Sequence, residues 1–327
     1  MDWLNIGSLA LGELASPFTA TFILCALGLS VHFGYTGLLN FGQAAFAAVG
    51  AYGMAISVLT FGLPLWLSVI MGLLSSTAFA LILGIPTLRL RADYLAIVTI
   101  AASEVFRYFM TTIGFAKVTG GSNGLSQFAE DFWATNPFPA GEYGFGPFTY
   151  REDELWIRVV AFSLIALGAV FIWLLMRSSW GRVLKGIRED EDAVRSLGKN
   201  VFSYKLQSMI VGGSIASLGG MVFVMSSQTN QPSNWGTNFT FMLWTILLLG
   251  GAATILGPIV GGMVFFGLLM FLQSIMEGLV NMGWLPFLDI AQVGQIRFLL
   301  VGVALMLLVI FRPQGIFGNK KELQFNG

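Results

Sequence analysis

The sequence predicts an all-α, polytopic transmembrane helical bundle of about nine spans, within a range of roughly eight to ten. Three observations carry that prediction. Apolar residues make up 56% of the chain, while Asp, Glu, Lys and Arg together make up 10%. A soluble domain carries roughly 25% charged residues, so a fold this poor in charge cannot cover itself in water but can be solvated by lipid. Apolar runs long enough to cross a bilayer recur along the whole length. Basic residues gather in a few of the breaks between those runs.

The runs lie near 17–33, 41–60, 66–85, 94–113, 156–176, 206–225, 238–256, 257–276 and 293–311. No Lys or Arg precedes Arg89, so the first run lacks the basic leader of a secretory signal and reads as a retained span. Arg89 and Arg91 follow the third run. Arg177, Arg182, Lys185, Arg188, Arg195, Lys199 and Lys205 lie between the fifth and sixth, and Arg312, Lys320 and Lys321 follow the last. Nine spans place all three clusters on one side. The positive-inside rule makes that side cytoplasmic, with the N-terminus outside and the C-terminus inside. The opposite side then holds a loop of about 114–155 that is rich in Gly, Pro and acidic residues. No break is long enough for an independent soluble core, so residues 1–327 read as one membrane domain with a cytoplasmic loop at about 177–205.

Composition excludes several functions. Formal net charge is zero, which offers nucleic acid no basic face. Cys25 and His32 are the only residues of their kinds, so neither an internal disulfide nor a Cys/His metal centre is expected. No cofactor is expected. A membrane enzyme would want clustered carboxylates, His or Cys near one face; the external acidic residues are scattered, the internal ones lie on the amphipathic loop, and the lone His32 has no evident partner in the sequence.

Glycine occurs 40 times, often at helical spacing. Gly257 with Gly261, and Gly212, Gly213, Gly219 and Gly220, predict close helix contacts, because bare backbones gain van der Waals contact in lipid. Ordinary packing inside one bundle is one reading of these glycines and broken helices lining a cavity the other, for which the stretch Gly34–Gln43, with Tyr35, Thr36, Asn40 and Gln43 between apolar runs, is the best candidate. Irregular backbone at membrane depth survives only beside protein or water. Tyr35, Asn40, Gln43, Thr119, Ser122 and Asn123 are candidates for a substrate path; capping and turn formation are their other reading. Glu104 and Arg107 interrupt the fourth span at i, i+3 and form a candidate intramembrane ion pair. A structural role and a role in gating or the path are both open.

In the loop Ser179–Gly198, Leu184, Ile187, Val194 and Leu197 recur at helical spacing among charged residues, which predicts a short amphipathic helix or helix pair. Gly198 fits its C-terminal cap. Lipid is a poor partner for the stripe, because Glu189, Asp190, Glu191 and Asp192 repel an anionic surface. A soluble protein docked from the cytoplasm is the expected partner.

At these residues the sequence resembles the permeases of ATP-binding-cassette importers for branched-chain amino acids, specifically their LivM-like subunit. The resemblance rests on five blocks in order: Gly34–Phe46, Leu88–Thr99, Thr119–Gly124, Arg188–Glu191 with Leu197-Gly198, and Arg312–Gly318. The general permease loop motif is degenerate, keeping only Ala193, Gly198 and their spacing. The resemblance implies a second, LivH-like permease subunit, two cytoplasmic ATP-binding subunits and an external substrate-binding protein. It also implies an amino-acid substrate and a multi-pass place in the bacterial inner membrane. The ATPase-coupling residues would be Leu184, Ile187, Arg188, Glu189, Asp190, Glu191, Asp192, Ala193, Leu197 and Gly198. The chain has no phosphate-binding GxxxxGK[ST] loop, so ATP hydrolysis is expected in partners and this subunit is not expected to be an enzyme. Urea or short amides as cargo, and a secondary transporter that uses no ATP, are the alternatives.

Overall fold

The computed structural model describes residues 3–146, 148–282, 284, 290–311 and 314–318. Arg312, Pro313, Lys320 and Lys321, used above for orientation and for the terminal block, lie outside the described residues. The fold is all-α and polytopic. Helix α1 (Trp3–Leu14) leads into α2 (Pro17–Leu29), which continues as a π-helical turn over Ser30–Tyr35. After a non-helical stretch come α3 (Gln43–Phe61), α4 (Leu65–Thr87) and α5 (Ala92–Thr111). The connecting loop holds α6 (Ala116–Thr119), β1 (Leu125–Ser126), α7 (Glu130–Ala134), β2 (Glu142–Phe145) and β3 (Phe148–Arg151). Then follow α8 (Glu152–Arg177), α9 (Ser179–Glu189), α10 (Glu191–Ser196), α11 (Val201–Ser227), β4 (Thr229–Asn230), α12 (Thr237–Gly250), α13 (Leu256–Asn281) and α14 (Ile290–Phe311).

Among the described residues, six helices are long and apolar enough to span a bilayer, or seven if α5 and its 62° bend into 113–119 count as one. Each of the nine predicted runs is largely helical. The run at 238–256, however, contains only the 14-residue α12. At 1.5 Å per residue that helix reaches roughly 21 Å, short of a hydrocarbon core of about 30 Å. Sequence reasoning missed α1, which packs along α13 with Leu14 against Gly267. It also read 114–155 as loop alone. That segment carries a β2–β3 hairpin, and β1 pairs antiparallel with β4, tying it to the α11–α12 connection.

Local chemistry explains the boundaries. Ser16 caps α2 by accepting from Thr19 N at 3.0 Å, and Pro17 occupies the first turn, where its missing N–H costs nothing. Gly62 ends α3 in the left-handed region at φ +62°.

α2 is the axis of the bundle. Its residues Thr19 to Leu29 are all buried, mainly against α11 and α13. The predicted small-residue contacts lie here. A methyl placed on Gly28 would strike the Gly212 carbonyl, and one on Gly220 the Ala47 carbonyl. A methyl on Gly261 would meet the carbonyl of Ile246, so the GxxxG step closes the α12–α13 hairpin.

Candidate functional site

The break after α2 is the first candidate. Six non-helical residues, 37–42, join two apolar helices, and in lipid their amides would be stranded at several kcal/mol per unsatisfied group, which is roughly the cost that excludes open loops there. Their partners are inside the protein. Gly37 N donates to Phe33 O at 3.0 Å, Leu38 N to His32 O at 2.9 Å, Phe41 N to Thr99 Oγ1 at 3.0 Å and Gly42 N to Asn40 Oδ1 at 2.8 Å.

Side chains complete the arrangement. Asn40 Nδ2 donates to Gln43 Oε1 at 2.9 Å and faces His32 Nδ1 at 3.0 Å. The imidazole therefore carries its proton on Nε2, which donates to Met209 O of α11 at 3.1 Å. Gln43 Nε2 donates to Cys25 O at 3.2 Å, and Thr36 Oγ1 lies 2.6 Å from Ser208 Oγ. His32, Thr36, Asn40, Gln43 and Ser208 are all buried. The structure thus gathers two of the predicted path residues, Asn40 and Gln43, in a closed polar network between α2, α3 and α11. Of its other members Thr36 belongs to the polar stretch singled out in the sequence, whereas His32 and Ser208 carried no sequence signal beyond being polar in apolar runs. Tyr35 is buried close by, with Lys185 Nζ 5.9 Å from its ring centre.

The remaining path candidates lie far along the chain from this network. Thr119 is buried and donates to Met110 O and Phe115 O, both at 3.1 Å, so it shapes the turn. Ser122 and Asn123 are exposed. Glu104 and Arg107 do pair, half-buried on α5: Arg107 Nη2 and Nε lie 2.6 and 2.9 Å from Glu104 Oε2.

The amphipathic loop is a helix pair, α9 and α10. Asp190 caps α10, its carboxylate accepting from Asp192 N at 2.9 Å and Ala193 N at 3.0 Å. Gly198 ends the pair at φ +75°. One expectation is corrected here. Leu184 and Ile187 are 0% and 5% exposed, and Val194 is buried too, so the chain's own helices cover that stripe and leave it unavailable to a partner. Leu197 alone points out, at 79% exposed. Around it Glu191 and Asp192 pair with Arg195 at 2.8 and 2.7 Å, and Lys205 of α11 is paired with Glu191. Glu189, Asp192 and Ala193 lie near or at the surface. Arg188 turns inward: Nη1 donates to Gly34 O at 2.5 Å, and its side chain packs on Gly37, whose φ of +75° and lack of a Cβ permit the approach.

Known proteins share this pattern over most of its length. The family described as "Branched-chain amino acid transport system / permease component" matches residues 16–310. The chain is 30% identical to the high-affinity branched-chain amino acid transport system permease protein LivM of Escherichia coli (strain K12), covering 92% of this chain and 68% of that protein. It is 24% identical to the probable branched-chain amino acid transport permease protein LivM of Methanocaldococcus jannaschii, over 91% of each. It is also 24% identical to the guanosine ABC transporter permease protein NupQ of Bacillus subtilis (strain 168), over 79% of each. With its apolar helices and a match that runs from the start of α2 to the end of α14, this chain belongs to the family of branched-chain amino-acid transport permease components and is a multi-pass, non-catalytic membrane permease.

Proposed function

We propose that this chain is one of two permease subunits of an importer that carries branched-chain or other neutral amino acids across the bacterial cytoplasmic membrane. Separate ATPases drive it, a LivH-like subunit completes the path, and an external binding protein delivers the substrate. The observation that carries this reading is the fixed link between α9–α10 and the broken end of α2 through Arg188 and Gly34. An ATPase bound at Leu197 and the surrounding α10 surface moves the helix pair. The pair draws on the π-helical turn, and the His32–Asn40–Gln43 network beside it repacks as the path alternates between faces.

Nine passes, with α12 as a short one, agree with this arrangement, as do an outside N-terminus and a cytoplasmic C-terminus. Arg89, Arg91 and the basic residues of α9 and α10 then share the inner face with the α12–α13 turn. Residues 1–327 act as one permease domain.

The test is uptake of labelled L-leucine into proteoliposomes holding the chain with its co-expressed partners and the external binding protein. Uptake should require internal ATP, and competition by L-isoleucine and L-valine should exceed that by urea, acetamide or guanosine. Accumulation driven by an ion gradient without nucleotide overturns the reading.

A further inference from the structure

A cavity of about 560 Å³ opens at the start of α12, beside the Glu104–Arg107 pair. Its volume lies in the range of small-ligand sites, roughly 300–1,000 Å³. One wall is apolar, built from Phe22, Phe223, Phe239 and Met242. The other wall is charged and polar. Glu104 Oε2 takes the two bonds from Arg107, and its Oε1 accepts from Thr237 Oγ1 at 2.7 Å. Thr237 is the first residue of α12, and no side chain caps that helix start. First-turn N–H groups lack intrahelical acceptors and carry partial positive charge, so the carboxylate sits between a guanidinium and a helix N-terminus. That is the environment a bound carboxylate wants.

We propose that this cavity binds a zwitterionic amino acid with an apolar side chain, and that Glu104 fills the carboxylate position until such a ligand displaces it. The ligand's carboxylate takes the place between Arg107 and Thr237, the freed Glu104 pairs with its ammonium, and its side chain lies against Phe22, Phe223 and Phe239. Charge is conserved, because one carboxylate replaces another and the ammonium neutralises the one displaced. The proposal rests on the import reading and names where its cargo would pause.

The test measures equilibrium binding of labelled L-leucine to the assembled transporter in nanodiscs, without nucleotide or binding protein. Competitors are 4-methylpentanoate, which lacks the ammonium, and L-leucinamide, which lacks the carboxylate. Wild type should bind L-leucine saturably and prefer it to each analogue by about tenfold or more, the worth of one charge-assisted contact. Glu104→Gln should lose the preference over 4-methylpentanoate, and Arg107→Gln the preference over L-leucinamide. Met242→Trp leaves the ion pair in place but fills the cavity, and should abolish binding in a transporter that still assembles. Unchanged L-leucine binding in Met242→Trp overturns the proposal. So does a parallel loss of all ligands in Glu104→Gln, which would mark a merely structural ion pair. If wild type imports L-leucine with ATP yet binds none in nanodiscs, the site is refuted while the import reading stands; absence of ATP-driven uptake refutes the import reading itself.

Discussion

Arg188 on the loop helix α9 donates to the backbone carbonyl of Gly34, at the end of the π-helical turn of α2, across 2.5 Å. Helix α2 leaves that carbonyl without an intrahelical donor where its hydrogen-bond ladder stops, and a charged side chain from α9 supplies one. The transmembrane axis of the bundle and the loop outside it are therefore one mechanical unit.

Replacing Arg188 by Ala removes that link. A hydrogen bond to a charged group contributes about 1.5–3 kcal/mol, so coupling should fall by roughly tenfold or more. The expected outcome is ATP hydrolysis near the wild-type rate with L-leucine uptake reduced, read as the ratio of ATP consumed to leucine moved. An unchanged ratio would separate Arg188 from coupling.

The two faces of the helix pair should respond differently to substitution. Leu184→Ala and Ile187→Ala create cavities in a packed core and should each cost about 2–5 kcal/mol, seen as a lower unfolding temperature of the purified protein. Leu197→Asp alters an exposed side chain and should leave the stability within about 0.5 kcal/mol of wild type, while weakening capture of the ATPase subunits on co-purification.

His32 and Asn40 should be energetically coupled. Removing either one leaves a buried polar group unpaired, at about 1–3 kcal/mol. Removing both strands less than the sum, so a cycle of His32→Leu, Asn40→Leu and the double variant should be non-additive by about 0.5–3 kcal/mol. Additive losses would show that the two side chains act separately.

Orientation can be read with thiols, because the chain's own Cys25 is fully buried. Ser126→Cys and Ser196→Cys both fall at exposed positions. A membrane-impermeant maleimide applied to intact cells should label the first and spare the second, which becomes reactive only after the membrane is opened. The reverse pattern would invert the bundle.

Much of this was legible in the residues. Charge poverty and apolar run length determined the membrane class and the helices, because a bilayer demands internally satisfied backbone and so rewards only long apolar helices. The polar interruption Gly34–Gln43 announced a departure from regular helix, found over 37–42 between two spans, and Gly198 announced a cap. Small residues in register announced which helices touch, since backbone approach in lipid depends on what is missing at Cβ.

Only the tertiary structure decided what each polar or amphipathic residue faces. Leu184 and Leu197 belong to one apolar stripe, yet the first is buried under the chain's own helices and the second is exposed. Asn40 and Gln43 read as path residues but bond to His32, to each other and to the Cys25 carbonyl, and His32 in turn holds the carbonyl of Met209, 177 positions away in sequence. Periodicity records that a face must be covered and composition that a polar group must be paired. Neither records by what, because the partner is set by helices that meet only once the bundle has closed.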